Sequence, residues 1–423
     1  MRVIALRAER AEIPAPSLRW LVVAPHRLFF AAGCAALIAV SLWWFAQLAA
    51  RSLGLPLPAA VPPAWVHGWS MLNGFLPLFM FGFLFTAGPR WLNVRAPDAR
   101  SLLWPAAASF GGLMLVLGGA FVARAPVLAG VALVLLGWTR LLASFLGLIR
   151  ASRTVDQVHA RLVLVFFSLG AVGHAFYALG IARLAYGWIH AAAMTATWLF
   201  IAPVYVTVAH RLIPFFTANV VPRLDAWRPL WLLQALATIV LAHGLLPVAA
   251  ALYPAAWWTA LRVANDAAGA ALVAFVAWRW GVVQSLRNRL LAMLHLGFVW
   301  LGIALALHAF ATGALALGAP QAALGLAPLH ALTMGFFGSV LLAMATRVTA
   351  GHSGMQLVAG NFVWALFWLL QVAVLTRIVA DAWPAASRWL LAATGALWCA
   401  VFVPWSVRNI SIYLRPRADG RPG

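Results

Sequence analysis

The stretch His330-Ala-Leu-Thr-Met334 opens a long apolar run that closes at Arg347, and the same order occurs twice more, at His67/Met71 closing at Arg90 and at His190/Met194 closing at Arg211. A histidine four residues ahead of a methionine, three times in one chain, predicts an internal repeat. The separations from His to Arg are 23, 21 and 17 residues, which at the helical rise make roughly 26 to 35 Å, one membrane crossing. Each His then sits at one mouth of a spanning helix and each Arg at the other. Positions i and i+4 share a helix face, so each copy presents a ligand-capable stripe, and three stripes at one depth are expected to converge on a common site. Upstream, an Arg-Leu pair precedes an apolar run at Arg27-Leu28, Arg161-Leu162 and Arg289-Leu290, spaced by 134 and 128 residues. The chain therefore reads as three pseudo-repeats of about four helices, near residues 25–158, 159–286 and 287–410.

Composition fixes the solvent. With 65% hydrophobic and 9% charged residues, against about a quarter charged in a soluble domain, the chain is expected to be an all-α polytopic membrane protein. A formal charge of +21 would suit nucleic acid, so the placement of the charge decides. All 29 basic residues are arginines. Apolar windows predict twelve helices near 28–50, 66–88, 101–121, 126–149, 160–180, 184–209, 230–250, 255–278, 290–312, 326–348, 358–380 and 386–407. On that layout 22 arginines fall on one side and 5 on the other (Arg51, Arg124, Arg183, Arg377 and Arg388), with Arg140 and Arg262 inside spans. This is the positive-inside pattern, with both termini cytoplasmic, and it excludes a nucleic-acid partner. Residues 1–24 read as a cytoplasmic arm and 411–423 as a disordered cytoplasmic tail. The arm is too charged for a cleaved leader, so the first helix is expected to stay in the mature protein. Cys34 and Cys399 lie inside the first and last helices and read as packing residues.

The histidines carry the chemistry. On this topology His67, His190 and His330 lie near the outer face, His174, His243 and His308 share that leaflet, and His26, His159, His210, His295 and His352 sit at cytoplasmic helix ends. An imidazole inside a bilayer is costly unless it is hydrogen-bonded, paired or bound to a metal. Each one alone reads as a packed, hydrogen-bonded residue, whereas the repeated trio His67, His190 and His330 reads as ligands of a metal or haem. Met71, Met194 and Met334 read more readily as core. Arg262 and Asp266 form an i, i+4 pair inside the eighth helix; it serves either as an ion pair, as an anchor for a haem propionate, as an anion site or in proton relay.

Several stretches together resemble the NnrS family. His330-Ala-Leu-Thr-Met-Gly-Phe, continuing to Arg347-Val-Thr-Ala-Gly-His352-Ser-Gly354, is similar to the family's helix from HALT-x-G to R-x3-GH-[ST]-G; Arg211-Leu-Ile-Pro-Phe-Phe-Thr217, Leu294-His295-Leu-Gly-Phe-Val-Trp300 and Pro25-His-Arg-Leu-Phe-Phe30 are similar too. The resemblance runs from about residue 25 to 410. It implies a multi-pass protein of the bacterial inner membrane that carries haem and copper and is linked to nitric oxide metabolism or relief of nitrosative stress. The chain departs from the family string H-x-H-E-M-L-F-G-F: it reads His67-Gly-Trp69-Ser70-Met71-Leu-Asn73-Gly-Phe75. Trp69 and Ser70 replace the second His and the Glu, so a site needing both His is not carried over.

Twelve helices in three quartets, with His at the outer ends of helices 2, 6 and 10, also resemble the catalytic subunit of haem–copper oxidases. That likeness implies His67 and His330 as axial ligands of a b-type haem and His190 and His243 as ligands of a second metal such as copper; Arg262, read above as a propionate anchor, is the expected further cofactor contact. Helix 7 offers only His243 and helix 10 only His330, so a full oxygen-reducing centre is not implied. The expected function is haem and copper binding with NO uptake or redox chemistry at an outer-leaflet site, fed by an electron donor that the sequence does not identify. The alternative is a small-molecule or metal transporter, or a partner subunit without haem.

Overall fold

The computed structural model describes residues 15–221, 223–319 and 324–420. Its frame is twelve helices long and apolar enough to cross a membrane: α1 Pro25–Ser52, α2 Pro63–Leu92, α3 Ala99–Val122, α4 Arg124–Ala151, α5 Val158–Arg183, α6 Tyr186–Val220, α7 Leu230–Leu252, α8 Trp257–Arg279, α9 Arg289–Ala316, α10 Ala327–His352, α11 Asn361–Ala382 and α12 Ser387–Tyr413. Each matches one apolar run of the sequence. Helices form because a chain in hydrocarbon must satisfy its backbone internally. Their ends carry local stop signals: Asn93 and Leu184 take left-handed conformations after α2 and α5, and the Asn288 side chain accepts from the Leu291 amide at the start of α9.

Packing follows the same order in each quartet. The first helix lies on the second (α1 on α2, α5 on α6, α9 on α10), the third pairs with the fourth, and the fourth packs on the first helix of the next quartet. The last of these contacts joins α12 to α1 and closes the ring. The apolar windows of α2, α6, α9 and α10 are 72% buried, against 22% for α7 and 28% for α8, so all three motif helices stand at the centre. Both chain ends meet on the Arg-rich side, where the Ser17 amide donates to the Leu414 carbonyl at 2.8 Å. The tail does not keep to the expected disorder: residues 411–413 finish α12, the Ala418 amide donates to the Ser353 carbonyl at 2.9 Å, and Arg417 donates to the His352 carbonyl at 3.1 Å. Most of the expected arm lies outside the described residues, and Leu18–Val23 form a short 3-10 turn.

The motif helices share a second feature that periodicity alone does not reveal. Each contains a π-helical stretch just inside the Arg-poor mouth: Ser70–Phe75 in α2, Thr195–Ile201 in α6 and Ala331–Gly338 in α10. Such wide turns are uncommon and concentrate at functional sites. Two hydroxyls cap carbonyls beside them, Ser70 on Val66 at 2.7 Å and Thr333 on Leu329 at 3.0 Å. The widened ladder rotates the residues that follow, so the expected His/Met stripe is broken. Met71 and Met194 pack against the core and Met334 is part of it.

The closest helix contact is α3 on α4. A Cβ at Gly112 would lie 2.5 Å from the Gly130 carbonyl, and one at Gly130 would lie 2.5 Å from the Gly112 carbonyl. Gly119 against Pro126 and Gly137 against the Pro105 carbonyl extend this seam in both directions. Small residues let two backbones touch where lipid offers no hydrophobic gain. Gly112→Val is expected to cost about 3 kcal/mol through overpacking, read as a lower midpoint of thermal unfolding in detergent, while Gly111→Ala, where a Cβ meets nothing within 4 Å, should leave the midpoint in place.

Candidate functional site

The structure sorts five of the six histidines on the Arg-poor side into three clusters. The first joins α1, α2, α10 and α11. His67 stacks on Trp44 with ring centroids 4.0 Å apart and planes 11° from parallel, and its Nδ1 is buried without a partner. His330 Nδ1 lies 3.0 Å from the Leu326 carbonyl; a carbonyl only accepts, so Nδ1 carries the proton and the lone pair is left on Nε2. Arg377, on α11, is within electrostatic reach of both rings. It is 7% exposed and pairs with Asp381 at 2.7 Å. The turn ahead of α10 closes over that carboxylate, where Gly325, at φ +49°, leaves room that a Cβ would take 3.3 Å from Asp381.

This placement changes two expectations. Arg377 was counted among the charges of the Arg-poor side at the end of the eleventh helix, yet it is buried in the bundle, because an i, i+4 carboxylate lets α11 carry it there. The pair looked for at Arg262/Asp266 is realised instead at Arg377/Asp381. Asp266 turns the other way, across to α7, where it meets His243 Nδ1 at 2.9 Å, while Asn265 donates to it at 3.0 Å. Arg262 takes part in none of the ion pairs among the described residues.

Asp266 and His243 make the second cluster. Trp198 of α6 covers His243 at 3.8 Å, and His308 of α9 stands 4.4 Å from His243 with its Nε2 buried and unpartnered. Arg262 is within electrostatic reach of His308. The third cluster surrounds Trp69, the residue standing in place of the family's second His. Trp69 stacks on Tyr177 at 5.3 Å and meets His174 edge-on at 5.7 Å, and Trp138 closes on His174 at 4.8 Å. His174 Nδ1 is 3.0 Å from the Gly170 carbonyl, which leaves the lone pair on Nε2. Trp69 Nε1, His174 Nε2 and the Tyr177 hydroxyl are all buried without partners.

The expected convergence of three stripes is therefore only partial. His67 and His330 lie within electrostatic reach of one another and of Arg377, whereas His190 is exposed beside Tyr186, with ring centroids 6.0 Å apart. His243 belongs to the Asp266 cluster. Helix rotation separates them. Among the described residues no three His, Cys, Asp or Glu are grouped so as to hold a metal ion.

Sequence reading gave no role to the histidines on the Arg-rich side, and the structure pairs them. His210 Nε2 lies 3.1 Å from the Pro229 carbonyl and its Nδ1 is 3.1 Å from His159 Nε2. The carbonyl fixes the proton on His210 Nε2, so His159 must donate from Nε2 and keeps a bare, buried Nδ1. Thr217 donates to the Ile213 carbonyl at 2.9 Å and accepts from His295 Nε2 at 2.9 Å. His26 and His352 stack with ring centroids 4.5 Å apart. Five histidines from five different helices thus form two pairs and a His–Thr contact. Between these pairs and the outer clusters lies an apolar cavity bounded by α1, α2, α5, α6 and α10, with Phe79, Phe167, Tyr205 and Val340 in its wall.

No curated protein matches the chain. A family model described as NnrS protein matches residues 21–417. That span takes in all twelve helices and every histidine cluster, and the chain therefore belongs to the NnrS family.

Proposed function

We propose that the chain is a haem-binding protein of the bacterial inner membrane, with both termini cytoplasmic, and that His67 and His330 hold a b-type haem near the outer mouths of α2 and α10. Membership of the NnrS family fits a membrane protein linked to the nitric oxide response. One observation carries the site: two imidazoles with free ring nitrogens, His67 Nδ1 and His330 Nε2, share one buried cation, Arg377. This donor set fits a haem, with neutral nitrogens for the iron and a guanidinium for a propionate. A haem held there would supply NO binding and one-electron chemistry.

The chain's own residues set the conditions. The Leu326 carbonyl keeps the proton of His330 on Nδ1 and so keeps Nε2 available, the usual second-shell device for orienting an imidazole ligand. Trp44 fixes the plane of His67. Asp381 holds Arg377 in place while offsetting its charge. Copper is a different matter. Trp69 and Ser70 remove two donors of the family string, and Ser70 spends its hydroxyl on Val66. Cys34 and Cys399 are free thiols on α1 and α12. The donors present do not fit a three-ligand copper centre, so no step is assigned to one.

Asp266 favours a second reading, a transporter or partner subunit that moves a small ligand or metal. A carboxylate 2% exposed, bonded to a histidine of the neighbouring helix with a second histidine beyond, is the arrangement that proton-coupled transport uses.

Dithionite-reduced minus oxidised spectra of the detergent-purified chain separate the two. His67→Ala and His330→Ala are each expected to lower the haem bound per chain and to shift its bands; unchanged spectra and haem content in both would sink the ligand assignment. Arg377→Gln should keep the band positions and weaken haem retention. On the second reading the purified chain is colourless and Asp266→Asn stops uptake into proteoliposomes, and full uptake by that variant would remove Asp266 from the path.

A further inference from the structure

The haem proposal leaves one built site unused, at the Arg-rich ends of α1, α10 and α12. Arg27 is 1% exposed and His26 beside it 2%. Arg27 Nη1 donates to the carbonyls of Tyr413 at 3.2 Å and Arg415 at 2.6 Å, but Nε and Nη2 are buried and unpartnered, as are both ring nitrogens of His26. His352 stacks on His26, and Arg90, Arg417 and Arg27 all lie within electrostatic reach of both rings. Of the ion pairs among the described residues, none takes Arg27; Asp419 bonds both arms of Arg417, at 2.9 and 2.6 Å.

A guanidinium removed from water keeps its charge, since it does not deprotonate in proteins. Burying it with two idle nitrogens and no ion-pair partner among the described residues costs several kcal/mol. The idle pair, Nε–H and Nη2–H, is the edge of the fork that grips two oxygens of one oxyanion. His26, the preceding residue, supplies one further N–H donor in its neutral form. Two carbonyls hold the third nitrogen, so the fork is aimed before any ligand arrives.

We propose that this cluster binds a phosphate oxyanion through Arg27 and His26, with His352 holding the His26 ring by stacking and Arg90 and Arg417 supplying the surrounding positive field. The phosphate belongs either to the headgroup of an anionic phospholipid or to free inorganic phosphate. The site is on the side of the membrane opposite His67 and His330, and it does not depend on haem at those residues.

The test uses the full-length chain and thermal unfolding. In nanodiscs, replacing phosphatidylcholine with phosphatidylglycerol is expected to raise the midpoint and to leave a lipid bound in native mass spectra; in detergent, inorganic phosphate is compared with chloride at matched ionic strength. A response to phosphatidylglycerol alone assigns the lipid source, and a saturable response to phosphate assigns the free anion. His26→Gln should weaken whichever response is seen by roughly tenfold or more, the loss of one charge-assisted hydrogen bond. Because Arg27 also ties down the end of α12, Arg27→Gln is paired with His352→Gln, which spares that tie. No response to either probe in the wild type, or equal responses in wild type, His26→Gln and His352→Gln, would overturn the site. So would a response that appears only when Glu9 and Glu12 are both changed to Gln, because the occupant would then be a carboxylate of the chain itself.

Discussion

Inside this bundle a polar side chain has only the other helices to satisfy it, and the arrangement of the site follows from that constraint. Asp266 is the clearest case. An unpaired carboxylate at that depth would have to take up a proton or draw in water, and instead α7 and α8 are held together by its bond to His243 at 2.9 Å. Trp300 donates to Gln371 at 2.7 Å and Gln371 to Ser339 at 3.1 Å, which stitches α9, α11 and α10 in the same way. Trp398 on Ser41 and Trp405 on Thr346 tie α12 to α1 and α10. These bonds give the packing direction, since contact between apolar helix faces alone is nearly as good with lipid as with protein.

The same constraint makes the groups left without partners informative. A buried polar atom with no hydrogen bond costs about 1–3 kcal/mol, and such atoms gather here at specific places rather than at random. They occur at Trp69, His174 and Tyr177 around one point, at His67 Nδ1 and His308 Nε2 in the outer clusters, and at His26 and Arg27 on the opposite side. Where the proton can be traced, as at His330, His174 and His159, the idle nitrogen is the one with the lone pair, the form that meets a metal or a donor.

The helices and their number were legible in the sequence because a membrane crossing is a length and a composition, both of which a one-dimensional reading measures. The side of the chain ends was legible as far as the arginine distribution went, and the meeting of Ser17 with Leu414 agrees that both ends share one side. What was hidden is rotation about each helix axis. His67, His190 and His330 look equivalent by spacing, yet the first and last are within electrostatic reach of the same buried arginine and His190 is exposed. Arg377 counted as a loop charge by its position near a helix end, and only the neighbour at Asp381 reveals that it is inside. Arg262/Asp266 carries the same i, i+4 signature and does not pair, because a histidine on α7 is better placed. Spacing shows which groups can meet along a helix, and says nothing about competitors on the next one.

The repeat itself explains how one scaffold comes to hold three different clusters. Each quartet delivers a π turn at the Arg-poor mouth of its second helix, and the turn exposes carbonyls and re-aims side chains wherever it falls. What lies beside it then sets the chemistry. Beside the turn of α10, His330 is within electrostatic reach of Arg377 and His67; in that of α6, Trp198 covers His243, the partner of Asp266; beside that of α2, Trp69 meets His174 and Tyr177. The tryptophan at 69 fills with an indole the space an imidazole would occupy, and it leaves its N–H idle beside an idle histidine nitrogen. The repeated geometry is common to all three, and the specificity of each comes from the neighbouring helix.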